Sequence, residues 1–174
     1  MSESLEMLKT EEGQLNAVFA CFGSAAQHGQ FLEAALGDLL ILYSRLSNTS
    51  LTVADIEAQE SSLRKQTLGA LLSKMRKHIT ISDDTIRTLM IDALESRNFL
   101  AHHFFLKRTE EFKTEQGRFA LLGELLQIQE QLRQATNMIG GVRVALSEAI
   151  NPTKPRSSEG ALFSVEVGIP DDLV

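Results

Sequence analysis

Apolar residues recur at helical spacing through most of the chain. From Gln14 to about Leu46 the positions Leu15, Val18, Phe19 and Phe22, then Phe31, Leu32, Ala35, Leu36, Leu39, Leu42, Tyr43 and Leu46, step by three and four residues and predict a first helix. Gly23 and Gly29 are points at which it can kink. Between Phe31 and Tyr43 only Glu33 and Asp38 are charged, which predicts a segment packed on more than one side. After the turn cluster Ser47-Asn-Thr-Ser50, Thr52-Val-Ala-Asp55 resembles a capping box and opens a second helix running to about His78, with Ile56, Leu63, Leu68, Leu71, Leu72 and Met75 inward. Ser82-Asp-Asp84 supplies the next start signal, for a third helix ending near Arg108. Beyond a charged link, a fourth helix is expected from about Gln116 to Ile150, with a bend or split at Gly140-Gly141.

These elements predict an all-α protein: an antiparallel four-helix bundle over residues 1–150, its first dozen residues a frayed start. An irregular tail over 151–174 is expected to be flexible or to dock as an extended segment on a partner.

The third helix carries the anomaly. At about 100° per residue, Ile86, Met90, Ala93, Leu94, Leu100, Ala101 and Phe104 form one apolar stripe, and Arg97 falls in its middle. A guanidinium on a core-facing stripe needs a partner or a ligand, because desolvating an unpaired charge costs several kcal/mol. Asp38 and Glu95 are the candidate counter-ions within the chain. Asn98 and His102 lie at one edge of the stripe, four residues apart and therefore neighbours, while His103 is turned about 100° away toward solvent.

Composition narrows the function classes. At 174 residues, 43% of them apolar, the chain can bury a core; its single cysteine, Cys21, excludes an internal disulfide. The start lacks a charged segment followed by an apolar signal core, and the longest apolar run, Leu39 to Tyr43, is far short of a membrane span, so a cytoplasmic protein is expected. The histidines show no metal-ligand pairing and there is no glycine-rich phosphate loop, so neither metal nor cofactor is expected. The net charge of −6 argues against general nucleic-acid affinity, DNA included. Its distribution is uneven: residues 1–60 carry Lys9 and Arg45 against nine acids, whereas residues 61–82 carry Arg64, Lys65, Lys74, Arg76 and Lys77 against none. Such a stretch is either a solvated helix face or a surface for a polyanion.

Arg97-Asn98-x-x-x-His102 resembles the Arg-polar-x3-His signature of the HEPN superfamily, small helical bundles that include many metal-independent ribonucleases of toxin and phage-defence systems. Leu68-Gly-Ala-Leu-Leu-Ser-Lys74 on one helix and Arg97 to Phe105 late in the next are similar to the wording of such chains, and the resemblance covers roughly Phe31 to Phe105. It implies an endoribonuclease of a toxin–antitoxin or defence pair that leaves 2′,3′-cyclic phosphate and 5′-hydroxyl ends. It also implies a homodimer through the third helix, in which two Arg/His sets share one cleft, with RNA as substrate and a protein antitoxin or regulator as a further partner. Arg97 would hold the phosphate through its two-pronged guanidinium, His102 would transfer protons near neutral pH, and Asn98 would position them. Some HEPN toxins are silenced at a tyrosine two residues after the histidine; Phe104 stands there in this chain. Two other readings remain. Arg97 can pair with Asp38 or Glu95 while His102 bonds a backbone carbonyl, a purely structural arrangement. The chain can also be a non-catalytic HEPN regulatory or antitoxin-like binding protein, since inactive members belong to the same superfamily.

Overall fold

The computed structural model describes residues 8–79 and 84–150, with nothing described of the side chains of residues 149 and 150. The tail of 151–174 and the start signal at Ser82 and Asp83 lie outside the described residues, as does most of the expected frayed start. Among the described residues there is no strand. The helices are α1 (Glu11–Ser47), α2 (Val53–Leu63), α3 (Leu68–His78), α4 (Asp84–His102), the single turn α5 (Phe104–Lys107) and α6 (Glu115–Ile150), with a 3₁₀ turn at Glu111–Lys113. The fold is all-helical, as expected.

Two compact units divide the chain, Met1–Gln30 with Ile91–Gln134 and Phe31–Met90 with Ala135–Val174. The first is built on Val18, Ala25, Leu100, Phe104, Leu121, Leu125, Ile128 and Leu132, with Phe104 only 1% exposed. Around Phe104 gather Phe22, Phe99, Phe105 and Phe112 at centroid separations of 5.3, 5.9, 5.2 and 6.2 Å. The second unit buries Leu32, Leu36, Leu39, Leu40, Ile41 and Tyr43 of α1 against its own apolar set, which includes Leu68, Leu71, Leu72 and Met75 of α3. Leu39, Leu40, Ile41 and Tyr43 span about 200° of the circumference of α1, slightly more than half, as the scarcity of charge there implied.

Along α6 the buried positions are Arg118, Leu121, Leu125, Ile128, Leu132, Ala135, Ile139, Val142 and Leu146. Steps of three and four in strict alternation make this the stripe of a helix packed along its whole length. Gly140-Gly141 sits inside unbroken helix, and so do Gly23 and Gly29 of α1. Helical hydrogen bonding and a continuous buried stripe outweigh the cost of about 1 kcal/mol that each glycine brings.

Two helix ends differ from expectation. In place of one second helix there are α2 and α3, because the chain tightens at Lys65 and Gln66, whose amides donate to Ser62 and Leu63, and Thr67 then caps a new start by accepting from the Ala70 amide at 3.4 Å. The third helix stops at His102 and resumes as α5, whose N-cap His103 lies at φ −130°, ψ −24°. The Thr52–Asp55 capping box is present, with the Thr52 amide 2.9 Å from Asp55 Oδ2 and the Asp55 amide 3.3 Å from Thr52 Oγ1. Hydrogen bonds from Thr52 hold the Asp55 carboxyl below its ordinary value. Its contribution is therefore present above the ordinary carboxylate range and lost as the pH falls through the depressed value.

Close approach fixes the start of α6. A methyl group added at Gly117 would overlap the Glu111 carbonyl oxygen and stand 2.6 Å from its Cα. Only a residue without Cβ lets the 3₁₀ turn lie against this helix, since main chain cannot yield as a side chain can.

Candidate functional site

The candidate residues occupy the last turns of α4. The buried residues Ile86, Met90, Ala93, Leu100 and Phe104 follow the same alternation of four and three, and Arg97 fills the vacant place between Ala93 and Leu100. Arg97 and Asn98 are half-buried, whereas His102, the final residue of α4, is exposed. Ala101, expected on the stripe, is exposed as well.

Space for the arginine comes from α1. Gly29 is buried, and a methyl group there would stand 3.2 Å from Arg97 Cγ, tighter than ordinary van der Waals contact. The aliphatic stem of Arg97 thus lies against bare backbone, which lets a long cation share a packed stripe. Gly29 itself continues the buried stripe of α1, four residues after Ala25 and three before Leu32. A glycine on a core stripe was the sequence signal for this contact.

Polar groups surround that level of the first unit. Ser96 Oγ donates to Gln131 Oε1 at 2.9 Å. His28, beside Gly29, places Nδ1 2.9 Å from the Ser24 carbonyl oxygen and donates to it in the tautomer protonated there. Glu130, on the turn that carries Gln131, receives Arg133 at 2.7 and 2.6 Å and Gln134 at 2.8 Å. The hydrogen bond from Arg133 foremost, then that from Gln134, with smaller help from nearby positive charge including His28, holds the Glu130 carboxyl at about 2. These residues escaped the sequence reading, which followed charges on α4 and not the levels at which three helices meet.

Of the supporting residues, Glu95 and His103 are exposed, with the His103 ring centroid 6.2 Å from that of His102. Asp38 belongs to the second unit, its side chain is 62% exposed, and it lies 3.8 Å from Arg143. It is thus not the buried carboxylate that the apolar run around it suggested. The deeply buried cation is Arg118 instead, at 5% exposure: its Nε donates to Gln14 Oε1 at 2.8 Å, and its Nη1 donates to the Phe112 carbonyl at 2.9 Å and to Glu11 Oε1 at 3.3 Å. Gln14 in turn donates to the Leu8 carbonyl at 2.9 Å, so this is a satisfied structural network.

An open groove of about 540 Å³ in the second unit is bordered by Asp38, Arg45, Glu60, Arg143 and Glu148 over an apolar floor that includes Ile41 and Leu42. Arg97, Asn98 and His102 are not part of it. Its border alternates cations and carboxylates, with Arg143 3.8 Å from Asp38, and includes no histidine. Among the described residues no cluster of histidine, cysteine and carboxylate groups is arranged to hold a metal ion, and no helix is long and apolar enough to cross a membrane.

Comparison with protein-family models, with curated proteins and with solved structures gives no match. The functional reading therefore rests on the chemistry of α4.

The α4 triad brings together one cation fixed by packing, one amide and one solvent-facing imidazole within six consecutive residues. Arg97 and His102 are about 140° apart around the axis, so a ligand that engages both must reach around the end of the helix. One copy offers a single histidine at that end besides the neighbouring His103.

Proposed function

We propose that the chain is an endoribonuclease of HEPN type, the toxic half of a toxin–antitoxin or defence pair, with its long helices packed antiparallel and two copies paired through α4. The observation that carries this reading is the placement of the signature: Arg97 half-buried on the packed stripe with its stem against Gly29, and His102 exposed where α4 ends.

In the reaction, one imidazole takes the proton from an RNA 2′-hydroxyl. The resulting oxygen attacks the adjacent phosphorus, and the bond from phosphorus to the 5′-oxygen breaks. A second imidazole, protonated, delivers a proton to that leaving oxygen. The products are a 2′,3′-cyclic phosphate and a 5′-hydroxyl, with no net change in protons. His102 of each copy fills one of the two proton-transfer roles. Arg97 donates two parallel hydrogen bonds to the phosphate oxygens, whose negative charge grows in the transition state. The Asn98 amide orients either the phosphate or the imidazole, four residues from His102 on one face. The two-fold pairing is part of the proposed mechanism because the resemblance implies that two Arg/His sets share one cleft.

A second reading has its own support. The net charge of −6 and a partly exposed ring set, Phe19 at 51% and Phe105 at 43% with Leu106 at 81%, suit a protein-binding bundle without catalysis. Product chemistry separates the two. Incubation of the purified chain with a single-stranded RNA in the presence of chelator is expected to yield fragments that phosphatase leaves blocked until acid opens a cyclic phosphate. Intact RNA, or fragments with 3′-hydroxyl ends, would exclude the proposed mechanism.

A further inference from the structure

Several described cations are committed to carboxylates: Arg64 to Glu60, Arg87 to Asp84, Arg108 to Glu124, Lys113 to Glu110, Arg118 to Glu11, Arg133 to Glu130 and Arg143 to Asp38, whereas the exposed Arg45 and Lys107 stand singly on other helices. Lys65, Lys74, Arg76 and Lys77 form a contrasting group, all exposed and making no ion pair with any described residue. No acid interrupts residues 61–82.

Helix geometry aligns three of them. α3 buries Leu68, Leu71, Leu72 and Met75, a face about 100° wide. On the opposite side Lys77 projects almost directly outward beside Ser73 and Ala70, with Lys74 about 60° to one side and Arg76 about 100° to the other, so the exposed arc of α3 carries three positive charges and no acid. Lys65 stands in the break just before the helix starts. An acidic chain that keeps Lys74, Arg76 and Lys77 without ion pairs on one short helix carries there a local field of opposite sign to its net charge. Water and counter-ions solvate such a face, and a polyanion that lays its phosphates on it gains by releasing the cations condensed along its own backbone.

We propose that the outer face of α3, with Lys74, Arg76 and Lys77, binds the phosphodiester backbone of single-stranded RNA. This deepens the ribonuclease reading by giving it a substrate-holding surface in addition to the α4 triad, and it rests on that reading for the choice of RNA among polyanions. The contacts are electrostatic and carry no base preference.

The test is a binding measurement that needs no cleavage. The full chain carrying His102→Ala is titrated, in chelator, into a fluorescein-labelled oligouridylate while salt rises from about 50 to about 200 mM. The expected affinity falls steeply with salt. The further substitutions Lys74→Ala, Arg76→Ala and Lys77→Ala together weaken binding at low salt by about ten-fold or more and flatten the slope by about two, at about 0.7 per lost single-strand phosphate contact. All three positions are exposed, so the thermal midpoint should barely move. Should the triple variant misfold, Lys77→Glu alone replaces it and must also weaken binding. Equal affinity and slope with and without the cations overturns the proposal, as does a chain that fails to bind the oligonucleotide at low salt. So does cation-dependent binding to phosphatidylserine vesicles without binding to RNA, which would make this a membrane-facing surface. A chain that binds through α3 yet yields no cyclic-phosphate ends would retain this surface and lose only the catalytic reading.

Discussion

His102→Ala is expected to slow RNA cleavage by about 10²- to 10⁴-fold, the usual contribution of a positioned proton-transfer group. The imidazole is exposed and ends its helix, so removing it costs little stability, within about 0.5 kcal/mol. The loss of rate should therefore appear at an unchanged melting temperature. Arg97 behaves differently. Its stem packs on Gly29, so Arg97→Ala removes packing as well as charge and should lower both rate and stability. Arg97→Lys keeps the charge and much of the stem but loses the two-pronged geometry, and should restore stability further than rate. Single-turnover cleavage of a labelled RNA in chelator, read beside thermal unfolding, separates these effects. A His102→Ala chain that cleaves at the original rate would remove the basis of the catalytic reading.

Arg118→Met is expected to cost about 2–4 kcal/mol of folding stability. The methionine fills most of the volume, but the buried Gln14 side chain, 2% exposed, loses the Nε donor and the Phe112 carbonyl loses its partner. Bonds from a charged donor contribute about 1.5–3 kcal/mol each, and a buried group left unpaired bears its full desolvation cost. Glu11, 70% exposed and 3.3 Å away, adds little because water screens that pair. Adding Gln14→Leu to Arg118→Met removes both ends of the 2.8 Å bond and should recover part of the loss. Denaturant unfolding of the three variants measures the coupling. A stability change under about 1 kcal/mol for Arg118→Met would mean that this network is not what holds the start of α6.

The two arginines show how far residue patterns reach. Periodicity located the long helices and placed Arg97 on the packed face of α4, because the spacing of apolar side chains is a local property of the chain. It did not place Arg118, three positions before Leu121 on an equally regular stripe, because a charged residue next to the apolar Phe119 does not announce itself as inward; Phe119 is in fact 43% exposed. Which face turns inward is decided by what stands opposite, and here Gln14 offers a hydrogen bond where an apolar residue would have rejected the charge. Gly29 is the same lesson in reverse, since its place on a core stripe marks a close approach but names no partner until Arg97 is seen against it. The break between α2 and α3 was written in Thr67 as a capping residue, but a run of helix formers on both sides masked it. The capping box at Thr52 was readable because both of its partners lie within four residues. The α4 signature was legible as a string; the polar level around it, drawn from His28, Ser96, Glu130 and Gln131, needed three helices in place.

One helix stands apart in how it is held. None of the residues of α2 is buried, so its order comes from the box at Thr52 and from ties within its own turns rather than from a greasy underside. A capped segment of that kind opens and closes on its own, without waiting for the rest of the molecule to come apart. Its backbone protons should trade with deuterated solvent long before those of the neighbouring α3, and among the described helices it offers a protease an early foothold.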